Sequence, residues 1–334
     1  MFTSAELSEI KTLLKPENKI VILTHYNPDG DAIGSSLGLK HYLSAKGISA
    51  EVVVPNDFPK FLKWMPEAKK NIIAEYKRKV ASDLIFEADV IFCLDFNSPS
   101  RIGILGDWLT KAKAKKILID HHQQPESFDF VYSDTIIPAT CQMIYHFIEA
   151  MGDENLVNKD IADCLYTGIM TDTGGFRFRS TSATTHRIVA NLIEKGADPS
   201  IISSNTWDTN TVSRLQLLAL ILGRIEVVND GSVAILHLSR NELKEYGFQK
   251  GDTEGFVNYG LSILGVKMSA FFMEDLYEDF IKISFRSKDS IDVNQFSRKY
   301  FNGGGHINAA GGKSLETLME TIETFKERVG EEGF

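Results

Sequence analysis

The chain has 334 residues, 43% of them hydrophobic, and its 45 acidic residues outnumber its 36 basic ones to give a formal net charge of −9. This acidity argues against a protein that coats long DNA or RNA through a broad basic face, but it leaves room for a pocket in which a few arginines and a metal bind a short anionic ligand. Isolated cysteines argue against a disulfide frame, and the lack of a signal peptide or of an apolar run of about 20 residues predicts a soluble, cytoplasmic protein.

The first half of the chain alternates short apolar runs with helical patterns. Strands are predicted at residues 20–24, 50–54, 90–94 and 117–119, and helices at residues 32–46, 104–113, 139–151 and 158–170. Such alternation predicts a parallel sheet with helices on both of its faces. The nearly continuous apolar character of the strands agrees, because strands of this kind are buried on both sides.

The pattern changes after residue 182. Helices are predicted at residues 182–195, 199–207, 212–228, 292–300 and 314–328, and strands at residues 233–237, 264–273 and 280–286. A chain of this length favours two domains. We therefore predict an N-terminal α/β domain over residues 1–208, a connecting helix over 209–229 and a smaller C-terminal α/β domain over 230–334.

Acidic and histidine side chains follow four of the apolar runs. They are His25, Asp29 and Asp31 after the run at residues 20–23, Asp95 after 90–94, Asp120, His121 and His122 after 116–119, and Asp172 after 165–170. An Asp that follows a strand is usually a turn residue or a helix cap, and Asp95 or Asp172 taken singly fits that interpretation. Caps do not explain all four arrangements together with a pair of histidines. Open α/β folds place their sites at the carboxyl edge of the sheet, and neighbouring carboxylates repel unless a cation lies between them, so the pattern predicts a metal site.

Six of these side chains suit two divalent cations. The six are His25, Asp29, Asp31, Asp95, His121 and Asp172. Carboxylates bind hard ions, and one imidazole for each ion favours manganese over magnesium, with cobalt as a further alternative. Cysteine is absent from the clusters, which argues against structural zinc. Two cations about 3.5–4 Å apart clamp the attacking and leaving oxygens of a phosphoryl transfer and lower the pKa of a bridging water.

A glycine run near the end of the chain is a second candidate site. Gly303, Gly304 and Gly305 expose backbone amides that can cradle a phosphate, and His306 can add a further donor. A plain turn is the more frequent meaning of such a run.

Two arginines are candidate anion ligands. Arg286 ends a predicted strand and is flanked by hydroxyls, including that of Ser287, which suits bidentate phosphate binding. An exposed strand end is the alternative interpretation of Arg286. Arg101 follows the loop after the second apolar run, and it either reaches an anion or lies at the surface.

Together the motifs resemble those of the DHH phosphoesterases. They occur in that family's order as THYNPDGDAIGS at residues 24–35, Asp95, the tripeptide Asp120-His121-His122, and TGIMTDTGGFRF at residues 167–178. The segment FNGGGHINAAGG at residues 301–312 is similar to the DHHA1 domain. The resemblance covers nearly the whole chain, and it implies a catalytic DHH domain, a substrate-binding DHHA1 domain and an active-site cleft between them. Asn302 stands where many relatives have glycine, and we expect only a modest change in the shape of the loop.

The resemblance also implies a role for each matching residue. One metal ion would be held by His25, Asp29 and Asp95, and the other by Asp31, Asp95, His121 and Asp172. Asp95 would thus bridge the two ions, and the resemblance implies that it is also a catalytic residue. Asp120 resembles a residue that orients histidines, and His122 resembles one that contacts the phosphate or donates a proton to the leaving oxygen. Arg286, Ser287 and the segment 303–306 resemble the subsite for substrate phosphate and nucleotide.

Within the family the chain looks like the branch of oligoribonucleases, or nanoRNases, that are also pAp phosphatases. This implies hydrolysis of short oligoribonucleotides to mononucleotides and of 3′-phosphoadenosine 5′-phosphate (pAp) to AMP. The expected partner is short single-stranded RNA or a small nucleotide rather than long duplex DNA or a membrane, and proteins of this family often form homodimers. The alternatives are a phosphoanhydride hydrolase acting on pyrophosphate or polyphosphate, a phosphodiesterase related to cyclic dinucleotides, and a nucleotide-binding regulator without turnover.

Overall fold

A six-stranded parallel sheet forms the centre of the first of two units, Met1–Thr209. Its strands are β1 (Ile20–Leu23), β2 (Ala50–Val54), β3 (Ile72–Ile73), β4 (Val90–Leu94), β5 (Lys115–Asp120) and β6 (Phe130–Ser133). They lie side by side in the order β3-β2-β1-β4-β5-β6, and every neighbouring pair is parallel. The order reverses between β1 and β4, and open α/β sheets bind ligands outside the carboxyl ends of the strands at such a point. The computed structural model describes residues 1–333.

Helices cover both faces of this sheet. They are α1 (Ser4–Leu13), α2 (Gly30–Ala45), α3 (Arg78–Glu87), α4 (Ile104–Lys111), α5 (Thr140–Met151), α6 (Lys159–Asp172), α7 (Ala183–Glu194) and α8 (Pro199–Trp207). Alternate residues of β1 point to opposite faces, as the two-residue period of a strand requires. Ile20 and Ile22 pack in the core formed with α2, α5 and α6, whereas Val21 and Leu23 pack in the core formed with α3 and α4. The predicted parallel sheet with helices on both faces is therefore confirmed.

A close approach of α2 and α6 depends on a glycine. A Cβ atom at Gly34 would lie 2.6 Å from the carbonyl oxygen of Cys164 and 2.9 Å from the Sγ atom of Cys141, so no larger residue fits without moving the helices apart. Asp31 lies in the first turn of α2 and Asp172 ends α6. The glycine therefore helps to bring two of the predicted metal ligands near each other.

The second unit begins at Asn210 and contains a mixed six-stranded sheet. Its strands are β7 (Glu226–Val228), β8 (Val233–Leu238), β9 (Met268–Glu274), β10 (Ile281–Ser287), β11 (Gly304–His306) and β12 (Ala309–Ser314). They are ordered β11-β12-β10-β9-β8-β7, and only β8 and β9 are parallel neighbours among the described residues. Its helices are α9 (Val212–Leu222), α10 (Arg240–Glu245), α11 (Val257–Leu261), α12 (Val293–Tyr300) and α13 (Leu318–Glu332).

Two cores stabilise this sheet as well. Helices α12 and α13 pack against one face around Phe285 and Phe325, and α9, α10 and α11 pack against the other around Phe256 and Phe271. The prediction of a C-terminal α/β unit is confirmed. Within residues 1–333 no helix combines the length and the apolar character that crossing a lipid bilayer requires.

Several predicted element limits were wrong. The helix predicted over 212–228 ends at Leu222, and Glu226–Val228 form the short strand β7 beside β8. The strand predicted over 264–273 begins only at Met268, and the helix predicted over 314–328 begins at Leu318. Short apolar runs do not distinguish a helix end from an edge strand, because both patterns fit the same few residues.

Candidate metal centre

Three neighbouring strands deliver ligands to one edge of the first unit's sheet. Leu23 at the end of β1 pairs with Cys93, and Leu94 at the end of β4 pairs with Ile119 of β5. The residues that follow these strand ends therefore meet at the carboxyl edge of the sheet, at the point where the strand order reverses. His25, Asp95 and His121 come from the three strand ends, Asp29 and Asp31 from the start of α2, and Asp172 from the end of α6.

Asp95 lies at the centre of the cluster. Its Oδ2 atom is 3.4 Å from the Nε2 atom of His25, and its Oδ1 atom is 3.4 Å from the Nε2 atom of His121. His25 Nε2 also lies 3.8 Å from Asp29 Oδ2. One carboxylate thus faces two histidines through its two oxygens, as a bridging ligand would.

A second group of ligands surrounds His121. Its Nε2 atom lies 3.8 Å from Asp31 Oδ2 and 3.4 Å from Asp172 Oδ2. The ligand atoms of Asp31, Asp95 and His121 lie within 4.8 Å of one another, and so do those of His25, Asp29 and Asp95. All six residues predicted as metal ligands are therefore brought together, in two groups that share Asp95.

The orientation of both histidines suits metal binding. The Nδ1 atom of His25 lies 2.9 Å from the carbonyl oxygen of Tyr26, and the Nδ1 atom of His121 lies 3.2 Å from that of Ile137. A proton on Nδ1 donates to each carbonyl, so Nε2 is the nitrogen that would bind an ion. Histidines that bind metals are commonly held in this way.

The spacing of the cluster also fits an ion. Separations of 3.4–3.8 Å between Nε2 and carboxylate oxygens are longer than ordinary hydrogen bonds. Such separations are expected for two atoms that each lie about 2.1 Å from a shared cation. Four carboxylates and two imidazoles are a donor set for hard or intermediate divalent ions. The residues present therefore fit the predicted pair of metal ions.

The carboxylates at this edge disturb one another's ionisation. Burial, together with the charges of Asp95 and Asp172, raises the pKa of Asp31 well above its usual value. Burial and the charges of Asp29 and Asp95 raise the pKa of Asp172 to about 7, although His121 opposes that shift. Without a cation, bound protons therefore neutralise part of the negative charge of these carboxylates.

The carboxylates and the histidines of the cluster favour each other's charged forms. Burial opposes protonation of His25, but Asp29 and Asp95 outweigh it and raise the pKa of His25 to about 10. Burial would raise the pKa of Asp95, yet its contacts with His121 and His25 hold it well below the usual value. Asp95 therefore stays ionised, as a bridging ligand must, and, although burial opposes it, the contact with His25 lowers the pKa of Asp29 as well.

Asp29 caps a helix in addition to its predicted role as a metal ligand. Asp29 is the N-cap of α2, and its Oδ1 atom accepts hydrogen bonds from the amides of Asp31 and Ala32, both at 3.0 Å. Its Oδ2 atom is the one that faces His25. The helix-cap interpretation and the ligand interpretation of Asp29 are thus compatible, since each uses a different oxygen.

His122 is held next to the cluster by Asp120. The Nδ1 atom of His122 donates to Asp120 Oδ1 at 2.7 Å and lies 3.7 Å from Asp95 Oδ1. Burial, and to a smaller extent the charge of Arg101, keep the pKa of His122 below its usual value, although Asp120 and Asp95 oppose this. Asp120 is therefore placed to orient His122, and Arg101 is half-buried and close enough to act on that ring.

Two residues of this site were not predicted. Thr140, the first residue of α5, donates its hydroxyl to Asp95 Oδ1 at 2.9 Å. The side chain of Asn56 accepts from the Asn27 amide at 2.7 Å and donates to the Asn27 side chain at 2.9 Å, which fixes the loop between His25 and Asp29. Asn56 follows Pro55 after the end of β2, and this turn-forming pair at the end of a parallel strand predicts a position at the same sheet edge. Thr140 carried no signal beyond the start of a helix.

In the second unit, Arg286 and Ser287 lie on opposite sides of β10, as adjacent strand residues do. Arg286 is half-buried. Ser287 is buried, and its hydroxyl donates to the carbonyl oxygen of Ile291 at 2.7 Å and accepts from Asn308 at 3.0 Å. The Ser287 hydroxyl thus stabilises the turn after the strand, and its role as a phosphate ligand stays a prediction.

The glycine run is not an open loop. Gly304 and Gly305 belong to β11 and pair with β12, and the amide of Gly305 donates to the Asn294 side chain at 2.9 Å. A Cβ atom at Gly303 would lie 1.8 Å from the carbonyl oxygen of Gly311, so the strand needs glycine to lie this close. Some of the amides that would form the predicted phosphate cradle therefore already donate hydrogen bonds within the protein. Asn302 has φ of 47°, a left-handed conformation that asparagine tolerates better than most residues, which explains how it replaces glycine.

Comparison with known proteins covers both units of the chain. The model described as "DHH family, N-terminal domain" matches residues 19–169, and the "DHHA1 domain" model matches residues 230–331. The chain is 32% identical to the bifunctional oligoribonuclease and PAP phosphatase NrnA of Thermus thermophilus, over 95% of this chain and 90% of that protein. Its fold is similar to the crystal structure of an exopolyphosphatase-related protein from Bacteroides fragilis, with 39% identity and a TM-score of 0.95 over 99% and 97% of the two chains.

A more distant solved structure shares the fold alone. It is RecJ from Thermus thermophilus in complex with Mn²⁺, with 13% identity and a TM-score of 0.54, over 98% of this chain and 54% of that one. The resemblance seen in the motifs is thus confirmed by both family models and by a relative that matches over almost its whole length. The chain belongs to the DHH phosphoesterase family and carries that family's DHH and DHHA1 domains.

Proposed function

We propose that this protein hydrolyses short oligoribonucleotides to mononucleotides and pAp to AMP with the help of two divalent cations. The observation that carries the proposal is the position of Asp95, whose two carboxylate oxygens each lie 3.4 Å from a histidine of a different ligand group. Similarity to the Thermus thermophilus oligoribonuclease and PAP phosphatase supports the choice of substrates.

The six clustered side chains would hold the cations. One group is His25, Asp29 and Asp95, and the other is Asp31, Asp95, His121 and Asp172. When bound, such a pair supplies Lewis-acid activation of water and of the phosphoryl group. Manganese is the proposed ion, with magnesium and cobalt as alternatives, because each group contains one imidazole.

The remaining polar residues would act on the substrate directly. Asp120 fixes the ring of His122 through Nδ1, and Nε2 of that ring would contact a phosphate oxygen or move a proton to or from the leaving oxygen. Arg101 adds positive charge beside that ring. In the second unit, Arg286 and His306 would bind the remaining phosphate or nucleotide of the substrate.

The proposal is limited to small substrates. A net charge of −9 disfavours long DNA, for which electrostatic attraction supplies most of the non-specific affinity. Short single-stranded RNA and mononucleotides need only a few cationic contacts. A cytoplasmic location and assembly as a homodimer are part of the proposal.

A substrate panel tests it. The purified protein is incubated with pAp, a ribodinucleotide, a 20-residue RNA duplex and inorganic pyrophosphate, in Mn²⁺ and again in excess EDTA. We expect turnover of pAp and of the dinucleotide in Mn²⁺, little turnover of the duplex or of pyrophosphate, and none in EDTA. Tight binding of pAp without any hydrolysis would contradict the proposal and support a regulator.

A second candidate function is hydrolysis of phosphoanhydrides. The similarity to a Bacteroides fragilis protein described as exopolyphosphatase-related favours it. Adding a medium-length polyphosphate to the panel separates the two functions. Turnover of polyphosphate at least tenfold faster than that of pAp would establish the second candidate in place of the first.

A further inference from the structure

We infer that Thr140 is a positioning residue that fixes the carboxylates of Asp31 and Asp95 relative to each other. The inference rests on the proposed metal-dependent function. Thr140 is fully buried and is the first residue of α5. Its amide donates to Asp31 Oδ2 at 2.6 Å, and its hydroxyl donates to Asp95 Oδ1 at 2.9 Å. One residue therefore touches a carboxylate from α2 and a carboxylate from the end of β4.

The start of α5 holds Asp31 firmly. The amide of Cys141 donates to Asp31 Oδ1 at 2.8 Å, so each oxygen of this carboxylate accepts one helix amide. The first amides of a helix lack partners within the helix, and the positive end of the helix dipole attracts an anion. Asp31 keeps a lone pair on Oδ2, the atom that faces His121.

The hydroxyl of Thr140 acts on Asp95 in a different way. A carboxylate rotates about its last torsion in a broad, roughly two-fold well, so contacts must decide which oxygen faces which partner. Asp95 Oδ1 faces His121, and Oδ2 faces His25. A donor fixed on the rigid end of α5 and aimed at Oδ1 selects this orientation.

The hydroxyl is not used to cap the helix. Ala139 occupies the N-cap position of α5 and makes no side-chain capping bond, and the first two amides of the helix donate to Asp31 instead. A neutral donor also leaves the full negative charge of Asp95 for a cation, whereas a lysine or arginine at this position would neutralise it. The side chain of Thr140 thus has the geometry and the charge expected of a residue that supports a metal ligand.

The test compares Thr140→Val, which keeps the shape and removes the donor, with Thr140→Ser, which keeps the donor. Binding of Mn²⁺ is titrated by the loss of the free-ion EPR signal. We expect Thr140→Val to weaken Mn²⁺ affinity about 10–100-fold and Thr140→Ser to restore it to within about threefold of the wild type. At saturating Mn²⁺, the valine variant should lower kcat for pAp and leave KM nearly unchanged.

Thr167→Val is the matched control. Thr167 is also fully buried in a helix, but its hydroxyl donates to the carbonyl oxygen of Asp163 rather than to a carboxylate. We expect this control to lower Tm in EDTA about as much as Thr140→Val does, without any loss of Mn²⁺ affinity. If Thr140→Val does not fold, Thr140→Ala, which removes the same donor, takes the place of the valine variant in the comparison.

Two results would overturn the inference. The first is that the folded Thr140→Val or Thr140→Ala variant binds Mn²⁺ as tightly as the wild type. The second is that Thr140→Ser loses as much Mn²⁺ affinity as Thr140→Val, which would assign the effect to the methyl group of threonine. Failure of the wild-type protein itself to bind Mn²⁺ would overturn the proposed function, and this outcome is separate from both.

Discussion

Asp172 Oδ2 lies 3.4 Å from His121 Nε2, although Asp172 ends a helix and His121 follows a strand. Burial and neighbouring carboxylates raise the pKa of Asp172 to about 7. An unfolded aspartate has a pKa near 3.9, so the folded, metal-free protein binds a proton here between about pH 4 and 7 that the unfolded chain releases. Stability from this group is complete below about pH 4 and is lost as the pH rises through about 7.

The same protons compete with metal ions. His25, with a pKa of about 10, and Asp172, with a pKa of about 7, must both lose a proton before they bind a cation. Asp31 and His121, whose pKa values are also raised, add to this count. We expect log Kd for Mn²⁺ to change by at least two per pH unit below pH 6 and by at least one per unit near pH 8. Calorimetry in buffers of different ionisation heat at pH 5.5, 7.0 and 8.5 counts the protons released.

Asp172→Asn provides the control for this proton count. The variant should bind Mn²⁺ more weakly and should release about one proton fewer at pH 5.5, with no difference at pH 8.5. An equal count at pH 5.5 in both proteins would mean that Asp172 is not the group that titrates near pH 7.

Gly34→Ala tests the close approach of α2 and α6. The new methyl group would meet the Cys164 carbonyl oxygen at 2.6 Å, so the helices must separate. We expect a loss of about 1–3 kcal/mol in the free energy of unfolding and weaker Mn²⁺ binding, because Asp31 and Asp172 move apart. Denaturant titration in EDTA and an EPR titration measure the two effects.

Gly330→Ala is the matched control for that substitution. Gly330 lies in α13, and a Cβ atom there meets nothing within 4 Å. Alanine should stabilise the protein by up to about 1 kcal/mol and leave Mn²⁺ binding unchanged. Equal stability of Gly34→Ala and the wild type would show that the helix contact tolerates a methyl group.

His25, Asp95 and His121 were predictable because each follows an apolar strand, and parallel strands bring such positions to one edge. Asp172 ends a helix, so only its place after an apolar run indicated it. Thr140 was not predictable, because its contacts with Asp31 and Asp95 arise from the position of α5 in the fold rather than from neighbouring residues. Nothing in the local sequence distinguishes this threonine from an ordinary helix start.

The glycine run shows a different limit. Residues 303–305 suit a turn, an anion cradle or a tightly packed strand, since glycine permits all three. The backbone of β12 decides between them, because it lies too close to Gly303 for any side chain. The pairing of a three-residue edge strand is not readable from its own sequence.

Arg286→Ala tests the substrate contact of the second unit. Loss of a charged hydrogen-bond donor to phosphate removes about 1.5–3 kcal/mol of binding, which corresponds to roughly a 10–150-fold rise in KM for pAp. Lys282 lies four residues earlier on the same strand and is exposed, so Lys282→Ala is the matched control and should leave KM unchanged. A fall in kcat at constant KM in Arg286→Ala would place this arginine elsewhere in the reaction.

Asp95→Asn separates the bridging role of Asp95 from its structural role. Asp95 has φ of 64°, and asparagine adopts this left-handed conformation more readily than alanine, so the fold should persist. In the wild type, Mn²⁺ at 100 times its Kd should add about 2.7 kcal/mol of stability, and EDTA should remove that gain. In Asp95→Asn we expect no rise in Tm with Mn²⁺ and no turnover of pAp, because the amide cannot bridge two cations. Since the ionised Asp95 carboxylate is also stabilised by His25 and His121, the Tm of Asp95→Asn in EDTA should fall below that of the wild type. A Mn²⁺-dependent rise in Tm equal to that of the wild type would show that the two ligand groups do not depend on Asp95.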